Sequence, residues 1–205
     1  MDAEELLKTA EAIYKEAYKL AAPCEWCDVD GDCEIRYLTG NTKYYWTLLC
    51  CGLKERLFMK SRSISEKEKI RSNTKNYYKL FYKDGRLVKV EDYIENKLSR
   101  YFLCFYTRNA RVLQSFDNQT KKPVWHYCIV TWFSDFGVEK EVWINEEGSQ
   151  IIFSEYIPQG NVIEFRQANC LPHTTYKEDR INFYYRGEFR DGGTTYECLE
   201  SHFAY

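Results

Sequence analysis

Histidine, proline and methionine are scarce in this chain: three, four and two in 205 residues. His126, His173 and His202 stand in neither an H-E-x-x-H nor an H-x-H spacing, so no histidine-based metal signature is present. Cys170 lies three residues before His173, which is not a nucleophile signature either, and the three histidines read as structural or surface groups. Glu147-Gly148-Ser149-Gln150 misses the second glycine of a nucleophile elbow, and there is no Walker loop. Four prolines and ten glycines exclude a collagen-like or low-complexity chain. No stretch approaches the roughly 18 apolar residues of a membrane helix. Met1-Asp2-Ala3-Glu4-Glu5 is acidic where a secretory signal is basic, which predicts a soluble cytoplasmic protein without export.

Aromatic residues are abundant: 17% of the chain, with 18 tyrosines, a composition that favours strands. Three stretches echo one another. Tyr77–Tyr82 is followed by Asp84-Gly85-Arg86 and Leu87–Val90; Tyr101–Tyr106 by Arg108–Arg111 and Val112-Leu113; Tyr127–Phe133 by Ser134–Gly137 and Val138–Trp143. Each unit reads as strand, polar turn, strand, so the centre is predicted to be an antiparallel meander of hairpins. Strands 101–106 and 127–133 are apolar at odd and even positions alike, which requires cover on both faces. Strand 138–144 alternates, with Val138, Lys140, Val142 and Ile144 on one side and Glu139, Glu141 and Trp143 on the other, and reads as half exposed.

Around the meander, residues 2–21 read as a helix capped by Asp2 and Glu5. Leu6, Ala10, Ile13, Ala17 and Leu20 form its apolar stripe, and Pro23 ends it. Residues 34–50 read as a hairpin turning near Gly40-Asn41, and residues 60–76 as a basic surface loop with a short helix from Ser65 to Arg71. Further strands are expected at 149–156, 161–167, 180–186 and 194–199, with Pro158-Gln159-Gly160 and Asp191-Gly192-Gly193 as turns. The fold class is therefore α+β in one domain over 1–205: an N-terminal amphipathic helix on a large, curved meander (77–199). The expected sheet has eight to ten strands, curved as far as a half-barrel.

Charge is unevenly spread along the chain. Residues 1–51 carry five Lys/Arg against ten Asp/Glu (−5), residues 52–125 eighteen against eight (+10), and residues 126–205 six against thirteen (−7). If folding preserves that segregation, one face is basic and another acidic. Lys60, Arg62, Lys67, Lys69, Arg71 and Lys75 near Tyr77, Tyr78, Phe81 and Tyr82 raise nucleic acid as a partner, but Glu66 and Glu68 interrupt the run and no RNP-type motif is present. Cys24, Cys27 and Cys33, with Cys50-Cys51 downstream, suggest zinc, yet adjacent Cys50 and Cys51 on a strand point to opposite faces. Reduced, partly buried thiols are the expectation, with no metal and no cofactor. Asp28, Asp30, Asp32 and Glu34 alternate, but the calcium-loop glycine is replaced by Cys33, so they read as a solvated acidic turn.

The acidic turn and hairpin of Asp28–Leu48 behind an N-terminal helix give the first ~50 residues a layout similar to that of bacterial immunity proteins. Those proteins neutralise a cognate polymorphic toxin by capping its active site. The resemblance implies a non-catalytic protein that forms a one-to-one complex, with acidic groups meeting a basic toxin domain. The candidate contact residues are Asp28, Asp30, Asp32, Glu139, Glu141 and Trp143. The alternatives are a small-molecule-binding barrel or half-barrel, a nucleic-acid-associated protein, and an enzyme whose site is assembled from distant residues.

Overall fold

The computed structural model describes residues 3–29, 31–39, 66–135, 137–144, 149–159, 162–173 and 181–190. Helix α1 spans Ala3–Ala21. Leu6, Ala10, Ile13, Ala17 and Ala21 are buried along one stripe, as the helical spacing requires. The chain leaves the helix through a turn in which the Ala22 amide donates to the Tyr18 carbonyl and the Cys24 amide to Ala21.

The strands are β1 (Glu34–Leu38), β2 (Glu66–Lys67), β3 (Tyr77–Lys83), β4 (Arg86–Ile94), β5 (Lys97–Tyr106), β6 (Ala110–Phe116), β7 (Pro123–Ser134), β8 (Gly137–Ile144), β9 (Ile151–Gln159), β10 (Val162–Cys170) and β11 (Ile181–Arg190). They form one antiparallel sheet in the order β11-β10-β9-β8-β7-β6-β5-β4-β3-β1-β2. From β3 onward every strand pairs with its neighbour in sequence, so the three echoing units are the hairpins β3–β4, β5–β6 and β7–β8. Asp84 (φ 51°) and Gly85 (φ 74°) close the first of them with the left-handed pair that matches strand twist. Among the described residues the sheet does not close into a barrel; β11 and β2 stand at its two ends.

Residues directly opposed across an antiparallel pair share a face, so the register sorts the side chains into two cores. On the helix face, α1 packs against β6–β9. The stripe of α1 meets Val112, Cys128, Val130, Trp132, Val142, Ile144, Ile151, Phe153 and Ala168. Trp26 and Val29 extend that cover onto Tyr101, Leu103 and Phe116. On the opposite face Leu38, Tyr78, Leu80, Val90, Phe102, Leu113 and Ile129 form a second cluster. Tyr101, Phe102 and Leu103 of β5 and Cys128, Ile129, Val130, Thr131 and Trp132 of β7 are buried at odd and even positions alike, as expected for the strands at 101–106 and 127–133, and β6 between them is buried throughout.

Two details differ from the sequence expectation. Lys67 and Glu66 pair with Tyr37 and Leu38 as a short strand, so no helix begins at Ser65; the strand contact to β1 outweighs a charged segment's weak helical preference. The second arm of the 34–50 hairpin and the 194–199 strand lie outside the described residues. A register shift at Trp132/Phe133 turns Val138 away from Val142 and onto Tyr156 and Phe165.

Candidate interaction surface

Beyond α1, the helix face of β2, β1, β3 and β4 carries exposed and half-buried side chains, bordered by the buried Glu91, Tyr101 and Leu103. Register aligns Lys67, Tyr37, Lys79, Glu91 and Tyr101 across β2, β1, β3, β4 and β5. A second row runs Ile35, Phe81, Lys89, Leu103. Tyr77 and Tyr93 oppose each other and stack with centroids 4.8 Å apart, and Tyr37 meets Tyr77 edge-on at 6.0 Å. Ile35 is 37% exposed, and Tyr37, Tyr77, Lys79, Phe81, Lys89 and Tyr93 are half-buried.

Ammonium groups are interleaved with the rings. Lys79 Nζ lies 4.8 Å and Lys89 Nζ 3.9 Å from the centre of the Phe81 ring, and Lys89 also lies 4.9 Å from that of Tyr101. Lys121 stands 4.1 Å over Trp26. Such contacts stabilise by about 0.5–1 kcal/mol each at partly exposed sites. Glu91 is held from two sides, by Lys89 at 2.9 Å and by the Tyr93 hydroxyl at 3.0 Å. Burial opposes the Lys89 charge, but its hydrogen bonds to Glu91 and Tyr101 and the Glu91 charge outweigh that, and its pKa lies above the ordinary lysine value. Burial, then the Glu91 carboxylate, push Tyr93 up to about 12. At neutral pH Lys89 is thus charged and the Tyr93 phenol neutral.

Strand alternation also sorts the charges. On β1–β4 the helix face holds Lys67, Lys79, Lys83 and Lys89 against Glu91 alone. The acids Glu34, Glu66 and Asp92 project to the opposite face with Arg36 and Arg100. There Arg36 pairs with Glu34 and, at 3.2 Å, with Glu68, while the Tyr82 hydroxyl donates to Glu66 at 2.7 Å.

The six residues singled out in the sequence occupy different places. Asp28 and Asp32 are exposed, at the margin of the lysine–tyrosine surface: Asp28 acts electrostatically on Tyr101, and a Cβ added at Gly31 would stand 3.5 Å from Lys83 Nζ. Asp30 lies outside the described residues. Glu139 is exposed on β8. Glu141 is buried on the opposite face, where it accepts a 2.7 Å hydrogen bond from Thr131 Oγ1. Trp143 is half-buried on that face, against the Leu113–Ile129 cluster. Asp28 and Asp32 are therefore separated by the sheet from Glu141 and Trp143.

Sequence reasoning passed over Lys79, Lys89, Tyr37 and Tyr93. The signal was the alternation Tyr77-x-Lys79-x-Phe81, which places these three on one face and Tyr78 and Tyr82 on the other. It also missed that Glu141, read there as a contact residue, sits in a buried polar row with the mutually opposed Arg111, Thr131 and Ser154 on the face away from α1. Cys24 is buried under the helix, donating to the Leu20 carbonyl at 3.4 Å, whereas Cys27 is exposed. Burial, then Cys27, push the Cys24 thiol up to about 11. Among the described residues no three His, Cys, Asp or Glu side chains are grouped to hold a metal, and no helix is long and apolar enough to cross a membrane.

Compared with protein-family models, with curated proteins and with solved structures, the chain matches none.

Proposed function

We propose that this protein is a non-catalytic protein-binding module that acts by covering a surface of its partner, in the manner of an immunity protein neutralising a cognate toxin. The observation that carries the reading is the row Lys67, Tyr37, Lys79, set in register over three hydrogen-bonded strands and backed by the buried Glu91 and Tyr101. A paired sheet fixes these groups before any partner arrives, so association costs less ordering than it would for a loop. Tyrosines combine a large apolar body with a hydroxyl at low rotamer cost, which is why they are enriched at protein interfaces. The open sheet favours this reading over a closed ligand-binding barrel.

The test is coexpression with the product of the adjacent gene, followed by size-exclusion chromatography with light scattering. The reading expects a one-to-one complex and loss of the partner's toxicity. Unrelieved toxicity alongside a folded, unassociated protein would contradict it.

A further inference from the structure

We infer that Cys24 and Cys27 are a thiol pair that a low-molecular-weight disulfide oxidises to an intramolecular disulfide, and that closing it lifts Trp26 off the sheet. This goes beyond the binding function proposed above and does not depend on it.

The pair lies where the chain leaves α1. Cys24 is 7% exposed and belongs to the cluster that holds Ala21 and Cys128, its thiol donating to the Leu20 carbonyl at 3.4 Å. Cys27 is exposed, which makes it the thiol that an oxidant reaches first. Only Glu25 and Trp26 separate the two, so a second bond-forming step between them is intramolecular and has a high effective concentration. Cys27 is also near enough to act electrostatically on Cys24.

Closure is a change of conformation. Burial alternates along the segment: Cys24 faces the core, Glu25 solvent, Trp26 the sheet and Cys27 solvent. The two sulfurs therefore start on opposite sides of the chain, whereas a disulfide holds its Cβ atoms about 4 Å apart. Bonding requires the segment to turn, and Trp26, between the cysteines, turns with it. Trp26 rests on Tyr101 at 4.5 Å and edge-on to Phe116 at 5.8 Å, with Lys121 Nζ 4.1 Å from its ring centre. The segment thus has two states: reduced, with Trp26 seated, and oxidised, with Tyr101 and Phe116 uncovered.

The chemistry is thiol–disulfide exchange. The Cys27 thiolate attacks one sulfur of oxidised glutathione and expels a glutathione thiolate. The Cys24 thiolate then attacks the Cys27 sulfur of the mixed disulfide and expels the second glutathione. Two protein thiols become one disulfide, one glutathione disulfide becomes two thiols, and both protons pass to glutathione.

The experiment incubates the reduced full chain with excess oxidised glutathione, quenches with acid, alkylates the remaining thiols and maps the peptides by mass spectrometry. Tryptophan fluorescence is followed in parallel. A Cys24–Cys27 disulfide should form, with a fluorescence shift that dithiothreitol reverses. Cys27→Ser, at an exposed position that the fold does not need, should abolish both. Cys24→Ser should stop at a glutathione adduct on Cys27, without the shift. Trp26→Phe should form the disulfide and lose the shift, which assigns the signal to Trp26 among the five tryptophans. A wild-type Cys27 that stays a thiol or remains a glutathione adduct overturns the inference, as does pairing of Cys24 with Cys128. A Cys24–Cys27 disulfide that leaves the fluorescence unchanged overturns it too.

Discussion

Asp92 is the least comfortable residue in the fold. It is 1% exposed, on the face away from α1, opposite Tyr78 and Arg100, and its Oδ2 finds no hydrogen bond. Burial pushes its carboxyl up to about 6, against the smaller opposing pull of Arg100. Between about pH 4 and pH 6 the folded chain holds a proton that the unfolded chain has released. Its contribution to stability is therefore full below about pH 4 and is lost as pH rises through about 6. Asp92→Asn should flatten urea-denaturation stability across that window and raise it at pH 7.5 by about 1–2 kcal/mol. A second residue-scale prediction concerns the buried Glu141. Thr131→Val removes the hydroxyl that donates to it and should cost about 1–2 kcal/mol, whereas Thr131→Ser, which keeps the donor, should cost less. Asp92 did not stand out in sequence and Glu141 was read there as a solvent-facing contact residue, because an Asp or Glu in a strand pattern reads as solvent-facing until the far face is known to be covered.

Among elements, the seating of α1 shows which effect dominates. Ala10 and Ala17 are fully buried against the sheet, and the Lys140–Glu16 ion pair, 2.6 Å long with Glu16 half exposed, flanks them. A partly exposed pair contributes at most about 1 kcal/mol, while forcing a larger side chain into a close-packed seam costs about 1–3 kcal/mol. Ala17→Leu should therefore destabilise more than Glu16→Gln in thermal denaturation. Trp26, packed on Tyr101 (4.5 Å) and Phe116 (5.8 Å), closes the far end of that seam, and Trp26→Ala should cost about 2–3 kcal/mol. The helix and the three hairpins were legible because their signals are local: a stripe at helical spacing, and strand–turn–strand repeats. The β1–β2 pairing was not, because it joins Leu38 to Glu66 across a long separation. The face of Val138 was not either, since the register shift at Trp132/Phe133 leaves no mark in an alternation count.

For the molecule as a whole, the uneven charge along the sequence is sorted a second time by strand alternation. The basic middle of the chain does not make a basic protein end; it makes one face of β1–β4 lysine-rich, while Glu34, Glu66 and Asp92 from the same strands turn to the other side. The acidic turn then lies at the margin of that lysine face, with Gly31 beside Lys83. The candidate surface was accordingly half legible. Tyr77 and Phe81 beside lysines were visible, but which of them share a face depends on the β1–β3–β4 register, a property of pairing and not of composition. Binding should weaken with salt if the lysines carry it. The account centres on the helix face of β1, β3 and β4 as the place where the partner sits, and amide hydrogen exchange on the free protein and on its purified one-to-one complex tests that most directly. The predicted result is added protection at Ile35–Leu38, Tyr77–Lys83 and Arg86–Tyr93 on complex formation. Protection confined to β9–β11 or to α1, with these strands unchanged, would contradict it.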